Sequence, residues 1–107
     1  MNFKFEKIIE QINKKLKFKY KSFKGSFFYG SRVKKKESSD SDYDLVLAFD
    51  KDIDWRAKKE IYGIISDFEV DYDILIDVHI YKLNDILDPI TPYRQNVKND
   101  GIFYGVR

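Results

Sequence analysis

Five apolar residues in succession, Leu45-Val46-Leu47-Ala48-Phe49, stand between acids, with Asp42 and Asp44 before them and Asp50 after. A β-strand sends successive side chains to opposite faces, so a strand that is apolar at every position must be covered on both sides. In a chain of 107 residues, which is one domain with one core, that demand leaves few architectures. The expectation is an α/β (α+β) sandwich in which helices pack on a small mixed sheet.

The surrounding patterns supply the other layers. Phe5, Ile8, Ile9, Ile12 and Leu16 recur at three- and four-residue spacing with polar residues between them, which predicts an amphipathic helix over residues 3–17. Ser26-Phe27-Phe28-Tyr29, bounded by Gly25 and Gly30, reads as a short buried strand. Residues 31–41 are polar and predict a loop, residues 50–54 supply turn residues and a helix cap, and Ala57, Ile61, Ile64, Ile65 and Phe68 mark a second helical face. Val70, Tyr72, Ile74, Ile76, Val78 and Ile80 then alternate with Asp71, Asp73, Leu75, Asp77, His79 and Tyr81, which predicts one long strand with an apolar and an acidic face. Pro89 and Pro92 interrupt regular structure beyond that strand; a short helix over residues 93–98 and a last strand over 101–104 close the chain.

Composition excludes several classes of function. The chain has no cysteine, so it has no disulfide framework, thiolate metal site or thiol nucleophile, and the cytosol is the default compartment. No apolar run approaches the roughly 20 residues of a membrane span, and residues 1–10 lack the apolar segment of a signal peptide. The net charge of +2 conceals a division. Residues 1–36 carry twelve cations against Glu6 and Glu10, an excess of ten; residues 37–88 carry fifteen carboxylates against five cations, an excess of ten of the opposite sign. The boundary falls in the loop after Ser31. Such runs commonly form solvated faces, but a nucleoside triphosphate with its metal ions also needs both signs together.

The residues at that boundary carry chemistry. Gly30-Ser31 ends one expected strand, ten residues intervene, and Asp42-Tyr43-Asp44 opens the next. Glycine lets the backbone approach a phosphate closely, and the serine hydroxyl with nearby amides can donate to its oxygens. Carboxylates at i and i+2 on a strand point to the same side, and such a pair suits hard divalent cations such as magnesium. A third carboxylate from a neighbouring strand would complete a two-metal site for in-line displacement at phosphorus. Asp71, Asp73 and Asp77 all fall on the acidic face of the long strand, and the residue pattern alone does not choose among them.

Gly30-Ser31, ten residues, then Asp42 and Asp44 resembles the signature of the DNA polymerase β-like nucleotidyltransferase superfamily, and the short chain is similar to its minimal nucleotidyltransferases. The resemblance covers about residues 23–104. In the minimal members the third carboxylate precedes a few apolar strand residues and then a leucine-containing segment ending in Ile-Leu. Asp77-Val78-His79-Ile80-Tyr81, with Leu83 and Ile86-Leu87, has that arrangement, so the resemblance favours Asp77, with Asp73 second. The tail from Thr91 through Gly101 resembles the family's closing helix and glycine. One departure stands out: a small residue and a glycine commonly follow Gly-Ser-Arg, whereas Arg32 here precedes Val33-Lys34-Lys35-Lys36.

The resemblance implies an enzyme in which Asp42, Asp44 and Asp77 hold two Mg2+ ions, Gly30 and Ser31 hold the triphosphate of ATP, and Arg32 with the adjacent lysines neutralises it. It further implies the antitoxin half of a toxin–antitoxin pair, moving AMP to a tyrosine of a HEPN-type toxin in the cytoplasm; a single small domain leaves no room for an acceptor-binding module. Two other classes compete. One is a binding antitoxin that silences its partner by occlusion. The other is a nucleic-acid-binding domain using the alternating Lys17-Phe18-Lys19-Tyr20-Lys21, for which a helix end running into an extended connector is the simpler account. A membrane partner is not expected. His79 could touch substrate, and Trp55 is expected at the core edge or against a partner.

Overall fold

The computed structural model describes residues 5–29 and 43–106. The elements are α1 (Phe5–Lys19), β1 (Phe23–Tyr29), β2 (Tyr43–Phe49), α2 (Trp55–Tyr72), β3 (Ile76–Lys82), α3 (Leu83–Leu87), α4 (Pro92–Asp100) and β4 (Ile102–Gly105). The four strands form one mixed sheet in the order β3-β2-β1-β4. β1 is antiparallel to β2 and β4, and β2 is parallel to β3. Parallel neighbours need a crossover, which α2 provides.

The continuous apolar run is covered as its pattern requires. Leu45, Val46, Leu47, Ala48 and Phe49 are all fully buried. Leu45, Leu47 and Phe49 join Phe5, Ile8, Ile9, Ile12 and Leu16 of α1 and Ile61, Ile64 and Ile65 of α2 in the larger core. Val46 and Ala48 point the other way, onto Phe27, Ile86 of α3 and Val97 of α4. Burying a Leu, Val or Ile contributes about 1.5–3 kcal/mol, so the central strand fixes both layers at once.

One polar node sits in the larger core. Asn13 of α1 donates from Nδ2 to the Tyr104 carbonyl at 2.9 Å, and its Oδ1 accepts from the Ser26 hydroxyl at 2.5 Å. Both side chains are buried, so α1 is pinned to β1 and β4 by groups that have little alternative to each other.

Several expected boundaries move, each for a physical reason. α1 continues to Lys19, two residues past the expected end: the Tyr20 amide still donates to the Leu16 carbonyl at 2.7 Å, and Lys19 pairs with Glu60 of α2 at 3.3 Å. β1 begins at Phe23 rather than Ser26. Gly25 does not bound the strand; it lies within it at φ 146°, beside a register shift. A Cβ there would stand 2.5 Å from the Tyr104 carbonyl oxygen, so the glycine serves the close approach of β4.

The largest correction concerns the long alternating segment. Residues 70–72 are the last turn of α2, and only Ile76–Lys82 is strand. Phe68 and Tyr72 stack at helical i, i+4 spacing with ring centroids 6.4 Å apart. Val70, which lent the alternation its first apolar position, is 80% exposed. The helix ends at Asp73 in the left-handed conformation (φ 53°, ψ 51°), with the Asp73 and Ile74 amides both donating to the Glu69 carbonyl. The Glu69 side chain then accepts from the Ile76 amide at 2.8 Å, which sets where β3 begins. Asp71 and Asp73 therefore leave the sheet face that the alternation assigns them with Asp77. α3 has no counterpart in the sequence expectation. α4 begins at Pro92, capped by Thr91, whose hydroxyl accepts from the Arg94 amide at 3.3 Å.

Candidate functional site

Because β1 is antiparallel to β2 and β2 is parallel to β3, the end of β1 and the starts of β2 and β3 lie along one edge of the sheet. There Tyr29 is the register partner of Asp44, and Asp44 of Asp77. Register partners on adjacent strands present their side chains on the same face. Tyr29, Asp44 and Asp77 thus stand abreast, on the face covered by α3 and α4. Val46 and Ala48 of β2 lead inward from Asp44 to the smaller core. His79 and Tyr81 continue the same face of β3, and His79 Nε2 is 3.4 Å from Asp77 Oδ2.

Tyr93 of α4 roofs this face. Its ring lies 5.1 Å from that of His79, 5.8 Å from Tyr29 in an edge-on arrangement, and 6.4 Å from Tyr81. Its hydroxyl is buried with no hydrogen-bond partner among the described residues. Burial, followed by the charges of Asp44 and then Tyr81 and Asp77, holds the phenol well above its ordinary ionisation range. The site is thus a carboxylate pair on a half-open strand edge, with Asp77 about half exposed, under a neutral aromatic cover.

Of the expected site residues, the structure brings Asp44 and Asp77 together on two adjacent strands and separates them from Asp71 and Asp73. Gly30, Ser31, Arg32 and Asp42, with Lys34, Lys35 and Lys36, lie outside the described residues. Among the described residues no three metal-ligating side chains cluster. Asp44 and Asp77 are nevertheless hard oxygen donors on one face, the donor type that magnesium takes, so this pair fits such an ion as part of its ligand set.

Tyr29 and Tyr93 are site residues that the sequence does not mark. Tyr29 directly precedes Gly30, and adjacency alone could have included it. Tyr93 gives no local signal, since its place depends on how α4 folds back over the sheet. The alternating segment at 17–21 lies at the opposite end of β1, a strand of seven residues and so about 20 Å from the carboxylates. There Lys17 Nζ donates to the Lys21 carbonyl at 2.9 Å, Lys19 pairs with Glu60, and the Tyr20 hydroxyl donates to Glu60. These groups tie the end of α1 to the connector before β1 and to α2, and they stand away from the carboxylate edge. Trp55 is 68% exposed with the Arg56 guanidinium 5.3 Å from its ring, so it lies on the surface rather than at the core edge.

Across residues 6–103 the sequence matches the family described as Polymerase beta, Nucleotidyltransferase. The chain belongs to that family. Among solved structures, this nucleotidyltransferase is similar to one described as a toxin–antitoxin with AMP-PNP, at TM-score 0.65 and 18% identity, covering 92% of this chain and 73% of that one. It is also similar to a toxin–antitoxin MntA-HpeT structure carrying two aspartate-to-glutamate substitutions two positions apart, at TM-score 0.64 and 16% identity, covering 98% and 75%. At these identities the likeness is one of fold. No curated protein matches the chain. Among the described residues, no helix is long and apolar enough to cross a membrane.

Proposed function

We propose that the protein is a metal-dependent nucleotidyltransferase that moves AMP from ATP to a hydroxyl of a partner protein, and that it acts as the antitoxin of a toxin–antitoxin pair in the cytosol. The observation that carries this reading is the register of Asp44 against Asp77, two carboxylates from adjacent strands facing one way at the edge where Gly30 follows Tyr29. Family membership supports the transfer chemistry. The likeness in fold to toxin–antitoxin structures, one of them with AMP-PNP, supports ATP as the donor and a toxin as the acceptor. A HEPN-type toxin and a tyrosine hydroxyl are the partner and acceptor in this reading.

Asp42, Asp44 and Asp77 would hold two Mg2+ ions, which when bound supply charge neutralisation on the triphosphate and acidify the attacking hydroxyl. Gly30 permits close approach of the backbone to the phosphates, Ser31 donates to a phosphate oxygen, and Arg32 balances the charge on the departing pyrophosphate. Asp77, on the outer strand, accepts the proton of the acceptor hydroxyl. The hydroxyl oxygen then bonds to the α-phosphorus while the bond from that phosphorus to the bridging oxygen breaks, and pyrophosphate leaves. The aromatic cover of Tyr29, Tyr81 and Tyr93 keeps water from the inner side of the pair.

The test is transfer to the purified partner from ATP labelled at the α-phosphate and, separately, at the γ-phosphate. Label appearing on the partner from the α position alone supports the reading; label from the γ position, or none from either with magnesium present, overturns it. If the carboxylate-depleted protein silences the toxin as fully as the wild type, the occlusion reading replaces it.

A further inference from the structure

The outer side of α2 is unusual for a surface helix. Ile61, Ile64 and Ile65 face the core, and on the opposite side Trp55, Tyr62 and Val70 are exposed, at 68%, 44% and 80%. Gly63 and Ser66 lie exposed between them. A helix-interior glycine is a net cost to the helix, and nothing among the described residues calls for one: a Cβ at Gly63 would meet none of their atoms within 4 Å. Among the described residues its missing side chain serves no contact, and the open space leaves room for something that approaches from outside.

Charge indicates what that is. Lys59 stands four positions before Gly63 and Asp67 four after; Arg56 stands seven before and Asp71 eight after. One half of the face is basic, the other acidic, and Gly63 sits near the middle of the helix. Among the described residues, Lys59, Asp67 and Asp71 have no ion-pair partner in their own chain, whereas Glu60, the one acid in the basic half, is taken by Lys19 and Tyr20. A face whose charge changes sign about its own midpoint is complementary to itself under a two-fold rotation.

We infer that a second copy of this chain packs its α2 antiparallel on this one, the two helices crossing at Gly63. Lys59 then faces Asp67 of the second copy and Asp67 its Lys59, while Trp55 lies on the Val70 methyls at each end. Two glycines at the crossing let the backbones approach more closely than the usual 8–10 Å. A parallel pairing would set like charges opposite and is disfavoured. One pair of helices, each 18 residues and so about 27 Å long, buries no more than the low end of specific interfaces, roughly 1,200 Å². The dimer is therefore weak and reversible, with Kd on the order of 10–100 μM. The inference is independent of the proposed catalysis.

Sedimentation equilibrium of the full chain over a range spanning that Kd tests it, alongside Lys59→Glu, Asp67→Lys and Gly63→Leu, with thermal unfolding confirming that each variant folds. The expected result is a monomer–dimer equilibrium that weakens with salt. Each charge variant alone loses dimerisation by at least about tenfold, and an equimolar mixture of the two recovers a mixed dimer, because each then supplies the sign that the other lacks. Gly63→Leu abolishes the dimer. A chain that stays monomeric throughout overturns the inference, as does a dimer indifferent to both charge variants. If the chain alone is monomeric and the same substitutions weaken only its complex with the toxin, the face serves that partner instead and the inference also fails.

Discussion

Tyr93→Phe removes a single oxygen from the roof of the site and leaves the ring in place. The wild-type hydroxyl is buried without a hydrogen-bond partner among the described residues, and a buried donor left unmade costs about 1–3 kcal/mol. The ring contacts to Tyr29, His79 and Tyr81 remain, and the shape is unchanged. The substitution is therefore expected to raise stability by about 1 kcal/mol, equivalent to about 4–6 °C in Tm for a domain of this size. Tyr93→Ala, which removes the ring as well, should instead cost about 3 kcal/mol. Urea unfolding at fixed m, followed by circular dichroism, measures both. If Tyr93→Phe loses 1 kcal/mol or more, the hydroxyl is bonded in solution and the account of an unpartnered phenol over Asp44 and Asp77 is wrong.

The same chemistry sets a pH dependence. Burial first, then the hydrogen bond with Glu60, pushes Tyr20 up to about 12, and burial with the neighbouring carboxylates pushes Tyr93 higher. A raised folded value means that the stabilisation is complete below the unfolded tyrosine value near 10 and is lost as pH rises toward the folded one. The tyrosines' contribution to stability should be flat up to about pH 10 and fall between about pH 10 and 12, with a shallower fall in Tyr93→Phe. Asn13→Ala strands the Ser26 hydroxyl and the Tyr104 carbonyl and should cost about 2–4 kcal/mol, whereas Asn13→Leu with Ser26→Ala should recover much of that, since apolar replacement of both partners is nearly neutral. Urea unfolding of the three proteins checks this. Asp73→Gly relieves a left-handed residue at the end of α2 and is expected to change stability by between 0 and about +1 kcal/mol while leaving nucleotide transfer intact; a loss of transfer would return Asp73 to the site.

The legible part of this fold rests on local rules. The run from Leu45 to Phe49 requires cover on both faces and obtains it from α1 and α2 on one side and α3 and α4 on the other. Asp44 and Asp77 can be paired because period-two alternation puts each on a known side of its strand and the family resemblance supplies the choice. The failure at residues 70–75 has a definite cause. Tyr72 and Ile74 satisfy a strand pattern, but Tyr72 also satisfies the 3.6-residue period with Phe68, and helix α2 with its left-handed end at Asp73 wins through packing that no short window contains. Gly25 reads as a boundary because punctuation by glycine is local, while the demand it meets comes from β4, eighty residues further along. Tyr93 is the same case at the site: α4 carries it there by folding over the sheet.

The most direct measurement of the central claim is the rate of AMP transfer from α-labelled ATP to the purified partner in Asp44→Asn, Asp77→Asn and the double variant. If the two carboxylates act as one site, each single substitution lowers the rate by about 10³-fold or more and the double falls no further, as residues that work as a unit do. Thermal unfolding should show all three variants folded, because both side chains stand at the open edge of the sheet. A wild-type rate in Asp77→Asn, or losses that multiply in the double variant, would contradict the account.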